Sequence, residues 1–261
     1  MLTEHFPSPK QIAQDIAENG YHIYHNAISP ETIRNIKSFW CAHFLNWRPT
    51  KELSGPNLRF GGRNFIIENK STTRHMIRSV NFLWNPPTHP VSRNLSSAIY
   101  KKVNQAQGLP ENYGFEFTPE RIGIFIGTHW YPPGTGFLSA HTDDNVLLPE
   151  LLFMIPITSK DSDYDGGGLF VKNLKGQKIL VDDLMNPGSI VFYSAKREHG
   201  VDLITSRSPK DFGRISLYAV ATFFKTREND PPYLRTIENT HYRLKGIYKK
   251  LKRSLTGLGK S

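Results

Sequence analysis

The sequence predicts a mainly β domain with flanking helices, of the α+β class, whose core is a double-stranded β-helix of the jelly-roll or cupin kind. Short strand-like segments recur between residues 120 and 225, with Gly- and Pro-containing turns between them. The chain of 261 residues has 16 Phe and 11 Tyr, which favours a β-rich globule over disorder. A chain of this length can stay undivided, so we predict a single domain over residues 1–261.

Residues 1–119 are predicted to supply helices and loops around this core. Residues 9–19 and 92–107 have helical periodicity, and Ser-Pro-Glu at residues 29–31 is typical of a capped helix start. Residues 48–90 contain more Pro, Gly, Asn and Arg and show less periodicity. We therefore expect loops around short strands there.

Three side chains in the core segment have the spacing of a metal site. His141 and Asp143 lie two residues apart, so on an extended segment both point to one face, and His199 can complete a triad. Two histidines and one carboxylate leave positions open on an octahedral ion, which suits a non-haem Fe(II) centre that binds a co-substrate and dioxygen. Each residue taken singly also fits an ordinary structural role, so the prediction depends on their joint occurrence with the residues that follow.

A basic residue and a hydroxyl residue follow the triad on one predicted strand. Arg214 and Ser216 lie two residues apart and therefore share a strand face. A planar guanidinium is well suited to bind a carboxylate, and a hydroxyl beside it can donate to the same group.

Taken in order, these segments resemble the 2-oxoglutarate and Fe(II)-dependent oxygenase superfamily, most closely its prolyl 4-hydroxylase-like branch. The resemblance covers roughly residues 120–225. The segments that carry it are an alternating strand over 121–131, His141-Thr142-Asp143, Gly166-Gly167-Gly168, Asn186-Pro187-Gly188, Glu198-His199-Gly200 and Gly213-Arg214-Ile215-Ser216.

The resemblance implies a role for each matching residue. His141, Asp143 and His199 are implied as the Fe(II) ligands, with 2-oxoglutarate and O2 as co-substrates. Arg214 is implied to pair with the distal carboxylate of 2-oxoglutarate, with Ser216 and Tyr131 as further hydrogen-bonding partners. Tyr131 precedes the first histidine by ten residues, one more than in the related pattern, which indicates a bulge or a different turn. No catalytic residue beyond the metal centre is predicted.

The resemblance also implies the reaction class. Decarboxylation of 2-oxoglutarate to succinate and CO2 would accompany hydroxylation of an unactivated C–H bond in a small molecule or a peptidyl side chain. Related halogenases replace the carboxylate ligand by a small residue, whereas Asp143 is present, so hydroxylation is favoured over chlorination, and desaturation or ring formation stays open as an alternative. Four residues are candidate substrate contacts, although surface charge or simple packing explains them equally well: Arg59, Arg63, Arg121 and Trp84.

Two alternatives remain open from the sequence. The domain can be a non-catalytic module that binds iron and 2-oxoglutarate, or the function can lie in the basic tail at residues 240–261. Seven of the ten net positive charges lie in residues 239–261, beside an apolar stripe. This tail can lie on an anionic membrane surface, bind a partner, or pack back on the barrel. Nucleic acid is the least favoured ligand, because no base-stacking or groove-reading motif is present.

The sequence predicts a cytoplasmic protein. Cys41 is the single cysteine, so no internal disulfide can form. The first residues do not resemble an export signal, and the sequence has no run of 18 apolar residues.

Overall fold

The computed structural model describes residues 2, 6–48, 64–116, 122–143 and 150–223. Its elements in chain order are α1 (Pro9–Asn19), β1 (Tyr21–Tyr24), α2 (Pro30–Leu45), β2 (Phe65–Ser71), β3 (Arg74–Phe82), α3 (Pro90–Ala106), β4 (Ile122–Tyr131), β5 (Phe137–His141), β6 (Leu151–Pro156), β7 (Gly168–Lys172), β8 (Lys178–Leu180), a 3-10 helix (Val181–Leu184), β9 (Ile190–Ser194), β10 (His199–Asp202) and β11 (Arg214–Phe223).

The strands of the described residues form one curled antiparallel sheet. Their order is β1-β9-β6-β11-β4-β3-β5-β10-β7-β8, and β2 pairs with β3. Strand β3 connects β1-β9-β6-β11-β4 on one side with β5-β10-β7-β8 on the other. It pairs with β4 over residues 77–82 and with β5 at residues 74–75. The predicted mainly β class with a double-stranded β-helix core is confirmed.

The predicted helices are present, and the predicted cap at Ser29 is confirmed; Ser8 caps α1 in the same way. The Ser8 hydroxyl accepts from the backbone N–H of Gln11 at 3.1 Å, and Ser29 accepts from the N–H of Thr32. These hydroxyls satisfy backbone donors that the first helical turn leaves unpaired. Helix α3 covers residues 90–106, close to the prediction.

The region of residues 64–82 differs from the prediction. Instead of short strands in loops, β2 and β3 form a hairpin, and β3 has nine residues between β2 and β4. The pattern of β3 is obscured because polar side chains such as Arg78, Ser79 and Asn81 lie among its apolar ones. Polar residues can be accommodated there because the inner face of the sheet holds a polar network.

The two faces of the sheet bury different side chains. Ile215 and Leu217 of β11 pack towards the helices, in a core shared with Leu95 and Ile99 of α3. Arg214 and the alternate residues after it point into the barrel. No helix of the described residues is long and apolar enough to span a membrane.

Candidate metal centre and co-substrate site

The predicted metal ligands come together at the ends of two paired strands. His141 is the last residue of β5, His199 is the first of β10, and the two are cross-strand partners. Asp143 follows two residues after His141. One ligand atom from each of the three lies within 4.8 Å of the others.

Backbone hydrogen bonds orient both imidazoles. Nδ1 of His141 lies 2.9 Å from the Ser139 carbonyl, and Nδ1 of His199 lies 2.9 Å from the Arg197 carbonyl. Each Nδ1 therefore carries the proton and donates, which leaves each Nε2 with a free lone pair. These Nε2 atoms lie 3.7 and 3.6 Å from the carboxylate oxygens of Asp143. The donor set and its orientation fit a divalent first-row metal ion.

The electrostatic environment favours the metal-binding protonation states of His141 and Asp143. Burial lowers the pKa of His141, and the neighbouring His199 lowers it further. Burial acts to raise the pKa of Asp143, but interaction with His199 and the nearby His141 and Arg74 outweighs it, so the pKa lies below its usual value. A neutral imidazole and an ionised carboxylate are the forms that coordinate metal.

The structure places Arg214 in a buried ion pair that the sequence did not predict. Its Nε donates to Oδ2 of Asp182 at 2.5 Å and its Nη2 donates to Oδ1 at 3.1 Å. Both side chains are 1% exposed, and the Tyr164 hydroxyl also donates to Asp182, at 2.8 Å. Asp182 therefore binds one edge of the guanidinium through two hydrogen bonds, and this bidentate geometry fixes the position and orientation of the Arg214 side chain.

The remaining N–H groups of Arg214 face Ser216 and Met154. Nη1 donates to Ser216 Oγ at 3.0 Å, and Nη2 lies 3.2 Å from the Met154 sulfur. One further N–H on Nη1 and the N–H towards the thioether remain for an end-on carboxylate. Tyr131 is buried next to Arg214, and the guanidinium carbon lies over its ring, 5.7 Å from the ring centroid. The residues thus fit a carboxylate ligand, although Asp182 already neutralises the charge.

A buried histidine, His129, lies near Arg214 on β4, the strand that pairs with β11. His129 is the cross-strand partner of Ser216, and its Nε2 lies 2.7 Å from the Tyr218 hydroxyl while Nδ1 lies 3.3 Å from that of Tyr131. Burial holds the pKa of His129 well below its usual value, and the charge of Arg78 adds to the effect. A neutral imidazole can donate to one hydroxyl and accept from the other.

A glycine makes room for this network. Gly127 is the cross-strand partner of Tyr218, and a Cβ at Gly127 would lie 2.1 Å from the Tyr218 ring. The hydroxyl end of the Tyr218 ring therefore occupies the space that a side chain at position 127 would fill, and from there the hydroxyl reaches His129.

Of the four candidate substrate contacts, the described residues include Trp84 alone. Arg59, Arg63 and Arg121 lie outside the described residues, as does the tail at 240–261. Trp84 follows the end of β3 that is opposite to the β5 pairing, and its ring stacks on Phe82 at 5.0 Å.

Several residues of the site had no distinctive sequence signal. Asp182 is one of two adjacent acids in a 3-10 helix, and nothing in the sequence separates it from Asp183. Arg78 and Tyr218 become visible only when β3 and β11 are aligned across β4, since each lies far from the triad in sequence.

Comparisons with known proteins support the fold. No protein-family model matches the sequence, and no curated protein matches it. A prolyl-4-hydroxylase from Pseudomonas putida aligns with a TM-score of 0.56 at 15% identity, over 82% of this chain and 98% of that one. The α-ketoglutarate-dependent epimerase SnoN of nogalamycin biosynthesis aligns with a TM-score of 0.54 at 10% identity, over 87% and 88% of the two chains.

A third solved structure contains the co-substrate itself. EctD from S. alaskensis, solved with 2-oxoglutarate and 5-hydroxyectoine, has a TM-score of 0.52 at 11% identity and covers 89% of this chain and 86% of its own. Identities this low establish architecture only. The chain therefore has the fold of the solved 2-oxoglutarate and Fe(II)-dependent oxygenases, a prolyl-4-hydroxylase among them.

Proposed function

We propose that the protein is an Fe(II) and 2-oxoglutarate-dependent dioxygenase that hydroxylates an unactivated C–H bond. The observation that carries this proposal is the triad of His141, Asp143 and His199, with both Nε2 atoms turned towards the carboxylate. Three protein ligands on one side leave coordination positions for a co-substrate and dioxygen. When bound, iron and 2-oxoglutarate would supply the oxidising chemistry, with succinate and CO2 as co-products.

The chain's own residues orient the ligands and the co-substrate. The carbonyls of Ser139 and Arg197 hold the imidazoles in one tautomer. Arg214 would receive the distal carboxylate of 2-oxoglutarate on its terminal edge, with Ser216 beside it and Tyr131 against it. Because the carboxylate ligand Asp143 is present, hydroxylation is the favoured outcome. The prime substrate is a small molecule or a peptidyl side chain.

The proposal extends to the whole chain. We propose one oxygenase domain over residues 1–261, acting in the cytoplasm, with the basic segment 240–261 as an accessory tail. Arg59, Arg63, Arg121 and Trp84 remain proposed substrate contacts.

An anaerobic Fe(II) titration with and without 2-oxoglutarate tests the proposal. The chelate of iron and 2-oxoglutarate should give a weak visible charge-transfer band in the wild-type protein. The band should be absent in His141→Ala and present in His25→Ala, which removes an exposed histidine away from the triad. Arg214→Lys, which keeps the charge and loses the fork, should need more 2-oxoglutarate for the same band. A folded wild-type protein without any band would refute the proposal.

Succinate formation separates the enzyme from a binding module. Under air, an oxygenase should release succinate slowly even without its prime substrate, and His141→Ala should not. A band without any succinate, on any substrate tried, would favour the non-catalytic iron- and oxoglutarate-binding module.

A further inference from the structure

Two arginines of β3 lie on one strand face near the metal centre; Arg78 is half buried and Arg74 is exposed. Arg74 and Arg78 are four residues apart on one strand face, and Arg78 is the cross-strand partner of His129. Arg74 is the cross-strand partner of Leu138, three residues before His141. Its charge contributes to the lowered pKa values of His141 and Asp143. Arg74 therefore lies near the triad, and Arg78 lies deeper, near His129 and Tyr218.

Neither arginine has an acidic partner among the described residues. Nε of Arg78 is buried and has no hydrogen-bond partner there. Arg78 does interact with the Tyr218 hydroxyl. Burial raises the pKa of Tyr218 to about 12, and the charge of Arg78 acts against this rise. A hydroxyl does not neutralise a guanidinium, so Arg78 remains a half-buried cation with an unused donor.

The charge of Arg78 is costly to leave unpaired, because a half-buried cation with a buried, unpartnered Nε loses hydration without gaining a counterion among the described residues. Arg74 is exposed, so water can solvate its charge. An anionic group on the substrate would offset the cost at Arg78.

We propose that Arg78, assisted by Arg74, is an anion receptor for the prime substrate, and that the substrate carries a carboxylate, phosphate or sulfate group. This inference rests on the proposed function for its assignment to a substrate. A guanidinium binds such oxyanions in bidentate geometry, and Nε with one Nη supplies the required edge. Tyr218 and His129 would hold the receptor's inner side.

The main competitor for this receptor is the co-substrate. The distal carboxylate of 2-oxoglutarate is itself an oxyanion, and Asp182 weakens the attraction of Arg214 for it. If Arg78 received that carboxylate, 2-oxoglutarate and another oxyanion would exclude each other. If Arg78 serves the prime substrate, both bind at the same time. Binding competition therefore decides between the two uses.

Calorimetric titration of sulfate into the full-length protein tests the receptor. Mn(II) replaces Fe(II) so that no turnover occurs, and the titration is run with and without saturating 2-oxoglutarate. We expect sulfate to bind under both conditions, with an affinity at least about tenfold weaker in Arg78→Gln, the loss expected for a charge-assisted hydrogen bond. Arg78→Lys should retain part of the affinity. Arg34→Gln removes an exposed arginine of α2 and should leave it unchanged.

Three results would overturn the inference. They are no sulfate binding by wild type, equal binding by wild type and Arg78→Gln, and displacement of sulfate by 2-oxoglutarate. Failure of the proposed function looks different, because titration of 2-oxoglutarate itself into the Mn(II)-loaded protein would then give no binding, while sulfate binding would still depend on Arg78. Acetate, titrated in parallel, distinguishes a receptor for carboxylates from one restricted to tetrahedral oxyanions.

Discussion

The barrel interior contains arginines in two opposite situations. Arg214 on β11 is buried and held by a bidentate carboxylate, whereas Arg78 on β3 is half buried and has no acidic partner in the part of the chain described. His129 lies between them and is kept neutral by burial and by both charges. One cation is thus held by the fold through a carboxylate, and the other, which we propose binds a ligand, has no acidic partner among the described residues.

This difference has an energetic meaning. A paired buried guanidinium is positioned rigidly, but its field is largely cancelled, so it selects a carboxylate by geometry more than by attraction. An unpaired guanidinium costs stability and attracts any oxyanion that reaches it. The two arginines should therefore respond oppositely when they or their partners are changed.

The largest effect is expected for Asp182→Asn. The substitution keeps the shape but leaves Arg214 as a buried cation without a counterion, which should lower the free energy of unfolding by about 3–5 kcal/mol. Urea unfolding of the metal-free protein measures this loss.

The matched control for this prediction is Asp183→Asn. Asp183 is the next residue, is 44% exposed, and pairs with Lys160 at the surface. Its loss should cost at most about 1 kcal/mol, as for other exposed pairs. Equal losses for the two variants would show that the Arg214 pair does not stabilise the fold.

A smaller loss is expected for Gly168→Ala. Gly168 has φ of +119°, and a Cβ there would lie 2.4 Å from Oδ2 of Asp182. The backbone strain alone should cost about 1–3 kcal/mol, and the clash would also push the carboxylate away from Arg214. Gly176→Ala has comparable strain at φ +75° with nothing within 4 Å. The melting temperature of Gly168→Ala should therefore be clearly lower than that of Gly176→Ala in thermal unfolding. The reverse order would contradict this account of Asp182.

Much of the fold was predictable because its signals are local. Caps at Ser8 and Ser29, the periodicity of α3 and the turns between strands are properties of adjacent residues. The extent of β3 was not predictable, since its polar residues are tolerated only by a sheet face that lines a polar interior. Strand pairing decides that face, and pairing is a property of the whole sheet.

The site divides in the same way. The spacing of His141 and Asp143 is local, so their shared face followed from the sequence, and His199 followed from the ordered motifs. The partner of Arg214 could not be predicted in this way. Asp182 lies 32 residues earlier in the sequence, in the 3-10 helix between β8 and β9. The lack of an acidic partner for Arg78 among the described residues could not be predicted either, because it depends on which acidic side chains the fold brings near Arg78.

The pH dependence of stability tests the environment between the arginines. Because the folded pKa of His129 lies below its unfolded value of about 6.5, the unfolded state binds a proton that the folded state does not. Stability should therefore fall as the pH drops from 7 towards 5, with His129 contributing up to about 1.4 kcal/mol per unit. Urea unfolding at several pH values should show a shallower slope in His129→Asn. An unchanged slope would mean that His129 is charged in the folded protein.

The smallest effect on stability is expected for Arg78→Gln. The substitution removes a half-buried cation that has no acidic partner in the described chain, so the lost interaction with Tyr218 is offset by relief of the unpaired charge. Urea unfolding at pH 7 should change by less than about 1 kcal/mol, in contrast to Asp182→Asn. The same variant should raise the pKa of His129, because one of the charges that depress it is gone, and should thereby make the slope between pH 7 and 5 shallower. A loss as large as that of Asp182→Asn would mean that Arg78, like Arg214, is part of the framework and has no capacity left for a ligand.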